Sequence, residues 1–128
     1  LVQISKNRHV HTLRSRWVRL MYEDAFIIVV EKKEGILTNA LPGDRRENVK
    51  AILDEYVKRQ SKGFSVHTVH RLDKGTSGIL LFAKRRDIQK TFTDNWKDIV
   101  TDRRYIAVVQ GEMEKDSGTV TSCLPARK

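Results

Sequence analysis

The stretch Val69-His70-Arg71-Leu72-Asp73-Lys74-Gly75-Thr76-Ser77-Gly78-Ile79-Leu80-Leu81-Phe82-Ala83-Lys84 decides how this chain is read. It sets one carboxylate among basic side chains in a glycine-punctuated turn, then runs directly into a short apolar strand. A loop carboxylate steadied by a buried strand is a common way to build a catalytic group. If Arg71 to Asp73 is extended, these two side chains share a face while Leu72 points into the core. The neighbouring guanidinium favours the ionised carboxylate. Gly75 and Gly78 permit a sharp turn that the Thr76 and Ser77 hydroxyls can cap. Turn chemistry alone leaves a second reading open, in which Asp73 is itself a turn-capping group.

Outward from this stretch, the pattern predicts an α+β domain around a mixed, mainly antiparallel sheet flanked by helices. Leu20 to Val30 reads as extended, with the β-rich run Phe26-Ile27-Ile28-Val29-Val30 ending at Glu31-Lys32-Lys33-Glu34-Gly35. Ile36 to Leu41 reads as a further short strand before Pro42-Gly43. Between Glu47 and Gln60 the residues Val49, Ile52, Leu53, Tyr56 and Val57 form one helical stripe. Phe64 to Val69 reads as extended. A second helix is predicted over Asp87 to Lys97, with Ile88, Phe92 and Trp96 four residues apart. Arg104 to Gln110 and Gly118 to Leu124 read as two more strands.

The 128 residues carry a net charge of +9 and a pI near 9.9, which favours an anionic partner. Before Glu23 there are five cations (Lys6, Arg8, Arg14, Arg16 and Arg19), two histidines and no acid. Such a run is either a solvated segment or a phosphate contact. The longest apolar run, Ala25 to Val30, is too short to cross a bilayer, and no signal peptide is recognisable. The lone Cys123 excludes an internal disulfide and a cysteine-rich zinc site, and suits a reducing cytoplasm. The pairs His9/His11 and His67/His70 lack the partner acid a metal site needs. Lys74 precedes its glycine and no helix follows, so the P-loop order fails, and no serine-hydrolase elbow is present.

The signature His70-Arg71-Leu72-Asp73, then Thr76-Ser77-Gly78 and a strand ending in Ala83-Lys84, resembles the active-site motif of the RluA family of pseudouridine synthases. Two flanking stretches extend the resemblance. Tyr22-Glu23-Asp24 with Ile28-Val29-Val30-Glu31-Lys32 is similar to the family's opening strand and its lysine. Arg104-Tyr105-Ile106-Ala107-Val108-Val109-Gln110-Gly111 is similar to the strand whose tyrosine packs on the target base. Together they cover roughly Arg19 to Leu124.

The resemblance implies conversion of uridine to pseudouridine in structured ribosomal or transfer RNA, with the uridine swung out of its stack. It implies that Asp73 is the catalytic carboxylate, that Arg71 helps displace the uridine or occupies its place, and that Tyr105 is also catalytic, stacking on the base and acting in proton transfer. His70, Lys74, Thr76 and Lys32, with Arg14 and Arg16, complete the expected RNA-facing set, His70 also reading as a structural group that closes the turn. Neither metal nor organic cofactor is called for, since the reaction has no redox change and no net hydrolysis. Two departures stand out. The family has Asn-Lys-Pro-x-Gly where this chain has Glu31-Lys32-Lys33-Glu34-Gly35, and its later basic motif has no counterpart before Lys128.

Starting at Leu1 rather than Met, the chain reads as a fragment. Residues 1–18 form a basic junction to an upstream RNA-binding module, and 19–128 the amino-terminal portion of a catalytic domain. The rival reading is a non-catalytic RNA-binding protein that keeps the scaffold.

Overall fold

A computed structural model describes residues 12–125. Four strands form one sheet in the order β1-β2-β4-β3: β1 is Val18–Glu23, β2 Ile27–Lys32, β3 His67–Thr68 and β4 Gly78–Ala83. Every neighbouring pair in it is antiparallel. Three helices accompany it, α1 (Val49–Gln60), α2 (Arg86–Asp94) and α3 (Trp96–Ile99). The α+β architecture with a mainly antiparallel sheet is as expected.

What read as one extended run is a hairpin. Asp24 makes the turn, its Oδ1 accepting from the backbone amides of Phe26 (2.7 Å) and Ile27 (2.8 Å), as a short carboxylate at a turn characteristically does. The β1–β2 register slips between Leu20 and Tyr22, a bulge that adds local twist. β2 then pairs with β4 over six residues, from Ile27 opposite Ala83 to Lys32 opposite Gly78.

Alternation along β2 buries Ile28, Val30 and Lys32 and leaves Ile27, Val29 and Glu31 half-buried. The first two join Leu80 and Phe82 of β4 and Val49, Leu53, Tyr56 and Val57 of α1 in one core cluster. These are the stripe positions of the predicted helix; Ile52 is half-buried beside them. Asn48 starts α1 by accepting from the Ala51 amide at 2.9 Å, a cap that contributes about 1 kcal/mol. Glu23 ties α1 to the sheet, accepting from Gln60 at 2.8 Å and pairing with Lys84 at 3.4 Å.

Four expectations need correction. Ile36 to Leu41 is no strand: it keeps a single parallel bridge, Leu37 to Asn48. Its chain bends to serve the signature turn instead. Phe64 to Val69 contributes only the two residues of β3. The second helix breaks at Asn95, where the Asn95 backbone and side-chain amides both bond the Thr91 carbonyl. Finally, Arg104 to Gln110 and Gly118 to Leu124 form no strands. Ile106 and Val108 are 100% and 99% exposed. A β-rich run becomes a strand only beside another strand, and no described residue pairs with these.

Candidate active site

The signature turn is pinned through its backbone and its flanks. Leu72 is buried, and Arg71 and Asp73 on either side are exposed, the alternation that the sequence predicts. Thr38, itself buried, clasps Leu72 twice. Its hydroxyl donates to the Leu72 carbonyl at 2.7 Å and accepts from the Leu72 amide at 3.2 Å. One side-chain oxygen thus satisfies both buried backbone groups, each of which would cost about 1–3 kcal/mol if left unpaired. Gly35 donates to the Lys74 carbonyl at 2.7 Å, and the Thr76 amide closes the bend onto the Asp73 carbonyl at 3.0 Å. Backbone, not the Thr76 and Ser77 hydroxyls, makes the cap. Gly78 takes φ +145°, a value costly for other residues.

Lys32 lies beneath this turn. It is fully buried, and its ammonium donates to the carbonyls of Lys33 (2.9 Å) and Lys74 (3.3 Å). Burial pulls its pKa below the usual lysine value, while the Asp73 and Glu34 carboxylates pull it back up. The cation is therefore within electrostatic reach of Asp73. Expected to face RNA, Lys32 has no exposed surface for a phosphate. The Asp73 side chain is exposed and accepts no hydrogen bond from any described residue.

The turn that lacks the family's proline is held by other means. Lys33 donates to the Trp17 carbonyl at 2.8 Å. Gly35 has φ +100°, and a β-carbon there would meet the Trp17 ring at 3.1 Å. Arg16 stacks on that indole, 4.6 Å from its centre, and both Arg14 and Arg16 are exposed. The basic segment thereby reaches the signature through Trp17, a contact that sequence reasoning missed. Residues 1–11, including Lys6 and Arg8, lie outside the described residues.

His70 works as part of the sheet. Its Nε2 accepts from the Leu81 amide at 3.0 Å, so the neutral ring carries its proton on Nδ1. That atom is buried and has no hydrogen-bond partner among the described residues. The ring packs 4.9 Å from Trp96 at the start of α3. Arg103 lies over Trp96 at 5.7 Å and over Tyr105 at 5.9 Å, and it donates to the Tyr105 hydroxyl at 3.2 Å. Tyr105 itself is 60% exposed. The structure thus gathers Asp73, Arg71, Lys74 and Thr76 in one turn, with Lys32 of β2 beneath it and Tyr105 joined to its leading edge through side chains. Sequence reasoning assigned neither Trp96 nor Arg103 to the site. The stacking of an arginine between two aromatics is a tertiary event without a spacing rule.

The family model for RNA pseudouridylate synthases matches residues 26–128. The chain belongs to that family. A ribosomal large subunit pseudouridine synthase C from Rickettsia bellii is 36% identical over 110 residues, 85% of this chain and 35% of the relative. The dual-specificity RNA pseudouridine synthase RluA of Vibrio cholerae is 33% identical over 105 residues, 81% of this chain and 40% of the relative. These matches bear out the RluA-type resemblance, and the chain spans little more than a third of each relative. The solved human RNA pseudouridylate synthase domain containing 4 shares the fold, with a TM-score of 0.51 and 20% identity over 61% of this chain and 29% of that one. Among the described residues, no helix is long and apolar enough to cross a membrane.

Burial lowers the pKa of His70, helped by the Arg103 charge; burial lowers that of His67 too, helped by Arg86 and Lys50. Both folded values lie below the ordinary 6.5, so the unfolded chain takes up protons first on acidification. Stability is intact above pH 6.5 and falls as pH drops through the window beneath it. Urea midpoints taken from about pH 7.5 to about pH 5 should decline, and the His67→Gln/His70→Gln protein should lose that slope. A midpoint that rises on acidification would contradict the assignment.

Proposed function

We propose that the protein containing this chain isomerises uridine to pseudouridine in structured ribosomal or transfer RNA of the cytoplasm, with Asp73 as the working carboxylate. The observation that carries this reading is the open Asp73 side chain, held by a pinned backbone above the buried Lys32 ammonium. In the isomerisation the bond between the ribose anomeric carbon and uracil N1 breaks and one to C5 forms. A proton leaves C5 and one is gained at N1, so the reaction is redox-neutral and water is not consumed.

Asp73 promotes departure of the uracil. Lys32 holds the turn and supplies a fixed positive charge below the carboxylate, where low exposure lets that charge act with little screening. Arg71, exposed beside Asp73, fills the space that an extruded uridine leaves. Tyr105 stacks on the extruded base, and Lys74 and Thr76 line the approach of the RNA strand. Arg14 and Arg16 meet phosphates on the flank that Trp17 joins to the turn. The names of the relatives, a large-subunit synthase and a dual-specificity one, fit either ribosomal or transfer RNA as substrate.

In the full-length protein, Asp73→Asn should fold and bind RNA as the unaltered protein does and form no pseudouridine, measured by mapping the modified base in the product RNA. Normal product yield would remove Asp73 from the chemistry. Replacing Arg14 and Arg16 with Gln should flatten the dependence of log affinity on log salt by about one for each phosphate no longer neutralised. An unchanged slope would leave both as solvated side chains.

A further inference from the structure

We infer that Arg103 is a positioning residue that sets the Tyr105 phenol in register with the signature turn, an inference resting on the base-stacking role proposed for Tyr105. Residues 101–125 have no regular structure and are exposed, so the sheet gives Tyr105 no direct support. What supports it is a run of side chains. β4 donates its Leu81 amide to His70, His70 packs on Trp96, and Trp96 lies under the Arg103 guanidinium. The same guanidinium covers the Tyr105 ring and bonds its hydroxyl at 3.2 Å.

Residues two apart in an extended segment project to the same side, which lets Arg103 and Tyr105 meet. A guanidinium suits the task because its planar fork stacks on two rings while donating at its edge; an ammonium has no such plane. Since the arginine can only donate, the tyrosine oxygen accepts, and the phenol keeps its own proton directed away from Arg103. Ring and hydroxyl are thereby both oriented before a base arrives. A stacking platform held in advance raises turnover more than affinity, because misplacement is felt most where reacting groups must align.

The test uses the full-length protein and its RNA, with Arg103→Gln, Arg103→Lys, Tyr105→Phe and the Arg103→Gln/Tyr105→Phe pair. Arg103→Gln should lower kcat about tenfold with KM within about twofold, and Arg103→Lys should restore little of it. In the Tyr105→Phe background the same change should cost less than about twofold, since the hydroxyl that Arg103 holds is gone. Equal losses in both backgrounds would overturn the proposal. So would a raised KM with unchanged kcat and a shallower salt slope, the behaviour of a phosphate contact. Trp96 emission, read in a full-length protein with every other tryptophan changed to Phe, should become about twofold more quenchable by acrylamide when Arg103 becomes Gln. Unaltered quenching would show that the stack does not form. A wild-type protein without activity would defeat the enzymatic reading alone, leaving the contact itself to be judged by this fluorescence.

Discussion

One ammonium group organises the site. Lys32 ends the strand that pairs along the whole of β4, directly opposite Gly78, the last residue of the signature turn. Its buried nitrogen joins the carbonyl of Lys33 on its own strand end to that of Lys74 in the turn. A buried charge is costly unless it is hydrogen-bonded and paired, and the bonds to both carbonyls and the field of Asp73 and Glu34 offset that cost. The arrangement is coupled: the turn must take this shape for Lys32 to be tolerated, and Lys32 must be present for the turn to carry a carboxylate over a cation.

Around that centre the labour is divided. Backbone groups and flanking side chains take all the anchoring, through Thr38 on Leu72, Gly35 on Lys74, and His70 on Leu81. The side chains of Arg71 and Asp73 are exposed. This is the economy expected of a site in which geometry is fixed by a rigid support and chemistry is delegated to a few free groups. Two stacked routes lead away from the turn: Trp17 with Arg16 on the amino-terminal side, and Trp96 with Arg103 and Tyr105 on the other. Arginine over an aromatic ring recurs in both, joining basic surface to the frame of the site.

Much of this was legible in the residues. The alternation Arg71, Leu72, Asp73, the α1 stripe from Val49 to Val57, and the apolar β4 follow from period and from burial of apolar surface. Lys32 was misplaced because a lysine after an apolar run reads as the strand leaving the core, whereas β2 keeps alternating through it and turns it inward. Thr38 gave no sign either: a hydroxyl that clasps a residue thirty-four positions away has no local signature. The segment from Arg104 to Leu124 shows the reverse error. Its β-branched residues are real, but propensity describes fitness for a sheet and does not supply the neighbouring strand.

The most direct test of the account replaces Lys32 with Met in the full-length protein and measures thermal stability and pseudouridine formation together. Removing the ammonium leaves the Lys33 and Lys74 carbonyls without their donor, a loss of about 1–3 kcal/mol for a buried group left unpaired. The melting temperature should therefore fall, and product formation measured well below that temperature should fall sharply. Full activity in a folded Lys32→Met protein would contradict the claim that this buried cation prepares Asp73 for its work.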